Sequence, residues 1–335
     1  REAEMSTIRR FPRMVSTGLA YLRGSSTVSQ PPLYYWIEPT SACNLRCRTC
    51  ATSYGLARKS GMMDWGLFTR IIDEISAITP VVNLHHSGEP LLHPRIADMT
   101  RYARERGCFV GYFTNATRLD AQMRKAILDD PPDWLGFSFD GYDRKTYERV
   151  RQGASWDLAL GNIEGILIER HQRRQVEPYT YLSVVELPEN RSGTHQRAAF
   201  RTHLNSLGLN QLSAANTHNW AGKVDIEGLT SEAGHYTKCP APWSGTAILW
   251  DGRVVPCCMD VEAQWVVGDI REQRVAEIWN GPAMIRLRRA IHDRHPERLS
   301  LCNNCHVLQD ASYFGVPRRV WQEAFDVLRT EFSPS

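Results

Sequence analysis

Between residues 34 and 222 short apolar runs alternate with amphipathic stretches. The apolar runs predict strands at Tyr34–Glu38, Val81–His85, Phe109–Thr114, Trp134–Phe139, Thr180–Val185 and Gln211–Ala215. The stretches between them predict helices near Trp65–Ile78, Pro94–Arg106, Ala121–Leu128, Trp156–Arg173 and His195–Leu207, with Asp64 and Ser192 as N-caps. Strand–helix alternation of this kind builds βα units on a parallel sheet. Six strands fall short of the eight of a closed barrel, so the expected α/β fold is a partial, open (β/α)6 barrel.

After Gly222 the texture changes to glycine, proline and tryptophan, as in Pro240–Gly245. The turn signal Asp251-Gly252 joins Ala247–Trp250 to Val254–Val255 as a hairpin, and helices are expected at Val275–Trp279 and Pro282–His292. The chain therefore divides into an N-terminal extension (1–33), the barrel (34–222) and a small α+β domain (223–335). A parallel sheet gathers the loops after its strands at one end. Here those loops are Thr40–Cys50, His86–Glu89, Asn115–Thr117, Asp140–Asp143 and Asn216–Trp220, the chain's densest polar clusters.

Composition narrows the partners. Forty basic against 37 acidic residues, net +3, is too even a balance to point to nucleic acid or an anionic membrane. No apolar run approaches the length of a membrane span or a signal peptide, which makes the cytoplasm the expected compartment. In a reducing cytoplasm nine cysteines point to metal or redox chemistry rather than disulfides. Three lie in Cys43–Cys50 and five between Cys239 and Cys305, which implies two sites; Cys108 stands alone and reads as a small buried hydrophobe.

Cys43-Asn-Leu-Arg-Cys47-Arg-Thr-Cys50 follows the first strand, so three thiolates converge from a single loop. Thiolates hold iron–sulfur clusters, and a cubane normally takes four; three leave one iron open for chemistry. A zinc site is the competing reading, although zinc cysteines usually come in evenly spaced pairs. The triplet resembles the signature of the radical S-adenosylmethionine (SAM) superfamily, as does Ser87-Gly88-Glu89-Pro90 after the second strand. That resemblance implies a [4Fe-4S] cluster on Cys43, Cys47 and Cys50 whose open iron binds the amino and carboxylate groups of SAM. Reduction of the cluster then releases a 5′-deoxyadenosyl radical. By the same likeness Ser87, Gly88 and Glu89 contact the SAM amino group. Thr114-Asn115 belongs to the pattern too, Ser138 and Asp140 would face the ribose, and Arg151 the carboxylate. Ser87 in place of glycine, and Thr49 where the family often has an aromatic residue, are departures. The plainer alternative for each polar residue is a loop contact or a helix cap.

The second group, Cys239, Cys257, Cys302 and Cys305, suffices for four ligands, and physics alone leaves a zinc ribbon open. Its context resembles the SPASM/twitch extension of radical SAM enzymes, in the shorter form of 2-deoxy-scyllo-inosamine dehydrogenase-type enzymes. This implies one fully ligated auxiliary [4Fe-4S] cluster serving as an electron acceptor. Cys258, beside a ligand, could pack quietly, replace Cys257, or donate hydrogen to substrate. The function these resemblances imply is oxidation of a hydroxyl- or amine-bearing carbon to a ketone, in a sugar, aminocyclitol or similar small metabolite. An external electron donor such as flavodoxin or ferredoxin would feed the first cluster. His86, Glu186, His218 and Lys223 are the candidate bases by position. Epimerisation through Cys258, maturation of a ribosomal peptide, and a non-enzymatic zinc protein are the alternatives.

Overall fold

A computed structural model describes residues 2–78, 80–185, 187, 194–215, 218–225, 236–309, 312–313 and 316–317. Its principal strands are β1 (Tyr34–Ile37), β2 (Arg46–Cys47), β3 (Val81–Asn83), β4 (Phe109–Thr114), β5 (Trp134–Ser138), β6 (Arg151–Gln152), β7 (Tyr179–Val185) and β8 (Gln211–Ala215), followed by β9 (Gly245–Ile248), β10 (Arg253–Val255) and β11 (Gly268–Asp269). The sheet runs β11-β10-β9-β1-β3-β4-β5-β7-β8, parallel from β9 to β8. Its barrel part has the six expected strands, with β2 and β6 forming a separate antiparallel pair.

The helices are α1 (Glu2–Arg23), α2 (Trp65–Ile75), α3 (Ile96–Glu105), α4 (Ala121–Asp129), α5 (Arg144–Val150), α6 (Trp156–Gln172), α7 (Thr194–Ser206), α8 (Ala241–Ser244), α9 (Val275–Trp279) and α10 (Pro282–His292). Asp64 caps α2 as expected, accepting from the N–H groups of Gly66 at 2.8 Å and Leu67 at 3.2 Å. Ser192 lies outside the described residues. Helix α1 was not legible in the pattern, which Pro12 and Gly18 interrupt. Arg13 anchors it by donating to the carbonyls of Ile78 (2.7 Å), Pro31 (3.3 Å) and Pro32 (3.1 Å). Among the described residues no helix is long and apolar enough to cross a membrane.

Strand alternation sorts the side chains. Val110, Tyr112, Leu135, Phe137, Leu182 and Val184 are buried in the main core with Phe68, Ile71, Met99, Ile163 and Leu167 of the helices. The opposite face carries large rings: Trp134 stands beside Gly111 and Phe113 beside Gly136 in the parallel register. A Cβ on Gly111 would come within 2.1 Å of the Trp134 ring, and one on Gly136 within 2.3 Å of Phe113, so each glycine makes room for an aromatic neighbour.

The hairpin expected at 247–255 forms as β9–β10, with β9 alongside β1. The expected boundary near residue 223 thus separates two cysteine groups without interrupting the sheet. Gly136→Ala is expected to lower stability by about 1–3 kcal/mol through overpacking against Phe113. Gly161→Ala, on the exposed face of α6 where a Cβ meets nothing within 4 Å, should instead raise it by up to about 1 kcal/mol. Chemical denaturation of the two variants checks both signs.

Candidate active site and metal centres

The loop after β1 is closed on itself before it reaches its cysteines. Thr40 donates its hydroxyl to the Gly61 carbonyl at 2.9 Å and accepts from Ala42 N–H at 3.0 Å; Met63 N–H reaches the Pro39 carbonyl at 2.8 Å. Cys47 then pairs in β2 with Arg151 of β6, and Cys50 N–H donates to the Cys47 carbonyl at 3.1 Å. The three thiols feel one another electrostatically. Burial raises Cys43, and it raises Cys47 to about 12 against the opposing Arg151 guanidinium, 3.9 Å away. With their pKa values raised, Cys43 and Cys47 stay protonated at neutral pH unless a metal supplies positive charge, which deprotonates a coordinating thiol outright. Their chemistry fits iron ligation.

The loop after β3 docks on this one. Gly88 is required by its own chain: a Cβ there would lie 2.2 Å from the Thr40 carbonyl oxygen and 2.5 Å from that of Ala42. The absence of a side chain at Gly88 thus lets its loop approach the cysteine loop. Glu89 is buried and accepts from Leu91 N–H (3.1 Å) and Thr114 hydroxyl (2.6 Å) on one oxygen and from Asn115 N–H (2.7 Å) on the other. A carboxylate has about four lone-pair sites, so these three bonds leave room for one more donor. Burial outweighs the three bonds and raises its pKa, a state that a bound ammonium would relieve. The carboxylate fits the amino group of SAM.

The remaining expected SAM contacts are more occupied. Ser87 turns its hydroxyl into the interior, where it accepts from Arg58 at 2.9 Å and pairs with His86 Nδ1 at 2.9 Å. Asn115 donates to Asn44 of the cysteine loop at 3.1 Å and accepts from Thr117 N–H at 2.9 Å. Asp140, expected at the ribose, accepts from Val185 N–H at 2.9 Å and holds Arg151 in a buried ion pair at 2.9 Å. Burial works against the Arg151 charge, but Asp140 and Cys47 more than offset it and the pKa lies above its ordinary value. In this arrangement Asp140 orients Arg151, and Arg151 faces a cluster thiol. Ser138 is half-buried at the C-terminal end of β5, in the position expected of a ligand contact.

The candidate bases separate clearly. Lys223 forms an ion pair with Glu262 and donates to the Gly55 carbonyl at 2.8 Å, which makes it a clamp between the cysteine loop and the C-terminal region. His218 packs its ring on Trp220 at 6.0 Å and His306 at 5.8 Å. Glu186 lies outside the described residues. His86 has a buried side chain whose Nδ1 contacts Ser87 and, at 3.4 Å, Glu38, while its Nε2 has no hydrogen-bond partner among the described residues.

Glu38, Arg58 and Asp260 complete this buried network, and nothing local in the sequence marks them. Arg58 grips the Glu38 carboxylate at 2.5 and 3.0 Å and donates its Nε–H to the Val261 carbonyl at 2.6 Å. Burial alone would raise the Glu38 carboxyl, but hydrogen bonding and charge from His86 and Arg58 hold it at about 2.

At the other site a cavity of about 190 Å³ is lined by Cys239, Cys257, Cys258, Cys302 and Cys305, with Tyr34 and Trp36 of β1 contributing to its wall. Burial and then the neighbouring thiols of Cys258, Cys239 and Cys302 raise Cys257 well above its ordinary value, and Cys302 rises for the same reasons. The thiols ring a space instead of converging on a point, since among the described residues no three His, Cys, Asp or Glu could hold a single ion. Cys258 lines the cavity beside Cys257 because the two sit in a bend, where neighbours need not point apart as they would in a strand. Cys108 is buried in the main core.

Residues 37–167 match the radical SAM superfamily, and residues 239–306 match SPASM, an iron–sulfur cluster-binding domain. The chain is a radical SAM enzyme with a SPASM domain, binding SAM and a [4Fe-4S] cluster in the barrel and auxiliary iron–sulfur in the C-terminal region. Among curated relatives it is 26% identical over 295 residues to the tungsten-containing aldehyde ferredoxin oxidoreductase cofactor-modifying protein of Pyrococcus furiosus, covering 73% of this chain and 80% of that one. It is 20% identical over 272 residues to the SAM-dependent 2-deoxy-scyllo-inosamine dehydrogenase of Niallia circulans, covering 81% and 91%. PqqA peptide cyclases are more partial matches, such as that of Granulibacter bethesdensis at 27% over 122 residues, covering 36% and 32%. The fold is shared with BtrN in complex with AdoMet and 2-DOIA (TM-score 0.58, 16% identity, covering 85% and 98%). It is shared also with anSMEcpe with bound AdoMet (TM-score 0.60, 14% identity, covering 89% and 96%).

Two outcomes are expected. Anaerobically reconstituted protein should carry about eight irons, falling to about four when Cys43, Cys47 and Cys50 are replaced by alanine; iron and sulfide analysis checks this. Glu38, with a folded pKa below its unfolded value of about 4.3, stabilises the fold above that pH, and the contribution is lost as pH falls towards about 2. Glu38→Gln should flatten the acid limb of a stability–pH profile in that window.

Proposed function

We propose that the protein oxidises a hydroxyl-bearing carbon of a small polar metabolite, of the sugar or aminocyclitol class, to a ketone, or an amine-bearing carbon to an imine that water hydrolyses to the ketone with release of ammonia. The observation carrying this reading is the ring of buried thiols set against β1, the strand from which the SAM-cluster loop departs. SAM and its cluster, which Cys43, Cys47, Cys50 and Glu89 would hold, would supply the removal of one hydrogen atom from substrate. The heteroatom proton then goes to His86 Nε2, a candidate base nitrogen with no hydrogen-bond partner among the described residues. Glu38 and Ser87 hold the ring from its other side. The last electron leaves through the auxiliary site, whose wall includes Tyr34 and Trp36. One hydrogen atom, one proton and one electron together make the two-electron oxidation of an alcohol to a ketone. The relative named as a 2-deoxy-scyllo-inosamine dehydrogenase supports the substrate class. One auxiliary cluster, on Cys239, Cys257, Cys302 and Cys305, and an external donor of the flavodoxin or ferredoxin kind complete the reading.

Anaerobic incubation with SAM, reductant and a panel of sugars and aminocyclitols, followed by mass spectrometry, tests it. Oxidation appears as a loss of two mass units from a hydroxyl-bearing carbon. Unchanged mass with solvent deuterium uptake would mean epimerisation, and would require that Cys258→Ala abolish it. His86→Gln is expected to lower product formation by about 100-fold or more, while SAM cleavage continues.

A further inference from the structure

Asp260 has not been given a task. Only 1% exposed, it follows the auxiliary cysteines in a bend, its own N–H donating to the Cys257 carbonyl at 3.2 Å. Each carboxylate oxygen accepts one backbone N–H, Gln264 at 2.7 Å and Trp265 at 2.9 Å, so the carboxylate is fixed in place by backbone donors. The carboxylate is thereby held three positions past the proposed cluster ligand Cys257, on the same turn of chain.

The field facing Asp260 from the other side belongs to the barrel mouth. Arg58, bonded to the residue after Asp260, is its permanent cation. Arg58 is 8% exposed and every nitrogen is engaged: Nε with the Val261 carbonyl next to Asp260, the other two with Glu38, and one of them also with Ser87. It is thus a fixed cation joining the end of β1, the loop that carries Glu89, and the loop that carries the auxiliary cysteines. A buried unit charge beside a cluster favours whichever oxidation state balances it, and cluster potentials respond to net charge and burial.

We propose that Asp260 and Arg58 are positioning residues that set the reduction potential of the auxiliary cluster with opposite signs, Asp260 lowering it and Arg58 raising it. The inference rests on Cys239, Cys257, Cys302 and Cys305 holding that cluster and is independent of which substrate is oxidised. A lowered potential protects the auxiliary cluster from reduction by the external donor, leaving it oxidised to receive the electron from substrate. Removing Asp260 would fill the acceptor early and uncouple SAM cleavage from product.

The test is an EPR-monitored redox titration of reconstituted full-length protein in which Cys43, Cys47 and Cys50 are alanine, so that only the auxiliary cluster contributes. Asp260→Asn should favour the reduced cluster by about tenfold or more at fixed poise, a shift of about +59 mV for one electron. Arg58→Gln should shift the midpoint in the negative direction, and Arg58→Lys, which keeps the charge, should restore most of the parent value. Iron and sulfide analysis accompanies each variant; if one loses its cluster, the other decides by the sign of its shift. Midpoints that stay within about twofold of the parent equilibrium overturn the proposal. Shifts of the same sign for Asp260→Asn and Arg58→Gln, the pattern of a loosened site admitting water, also overturn it.

Discussion

β1 is paired on one side with β3 and on the other with β9, Tyr34 lying opposite Val81 and Gly245. Both cysteine groups depend on these four residues. The SAM-cluster loop leaves the C-terminal end of the strand, while Tyr34 and Trp36 form part of the auxiliary cavity wall. Tyr35 and Ile37, pointing the other way, are buried in the main core and fix the strand's rotation. A one-residue slip would turn each set to the wrong face. The register of β1 against β3 and β9 therefore sets how the two sites lie along the sheet.

Charge compensation is the second organising theme. Buried thiols at both sites are raised far from the thiolate form, and Glu89 is raised in the same way. Each is a group whose burial is unfavourable in its charged form until a cation arrives, which couples cofactor loading to the stability of the loops. Arg151 and Arg58 are the permanent counter-charges, one facing Cys47 and Asp140, the other Glu38. Where no cofactor is needed, the protein closes its own accounts: Lys223 with Glu262 is a clamp of this kind.

Much of this was legible from the chain. Strand positions followed from apolar runs, and the cysteine triplet with Gly88-Glu89-Pro90 pointed to the barrel mouth. What escaped was non-local. Glu38, Arg58 and Asp260 are single charged residues separated by 20 and then by about 200 positions, and only the pairing of β9 with β1 brings their segments together. The pairing of Arg151 with Asp140 was not legible either, since no motif records it. The sequence left the role of Cys258 open; its place on the cavity wall beside Cys257 follows from the turn after β10.

The central claim is that a hydrogen atom taken at the barrel mouth is followed by an electron delivered to the auxiliary site. Freeze-quenched EPR of the fully loaded enzyme, given SAM and one reducing equivalent together with a substrate identified by mass spectrometry, tests it most directly. A reduced auxiliary-cluster signal that rises in step with ketone formation, and is absent without substrate, is the predicted result. Ketone formed while the auxiliary cluster remains oxidised throughout would contradict the account.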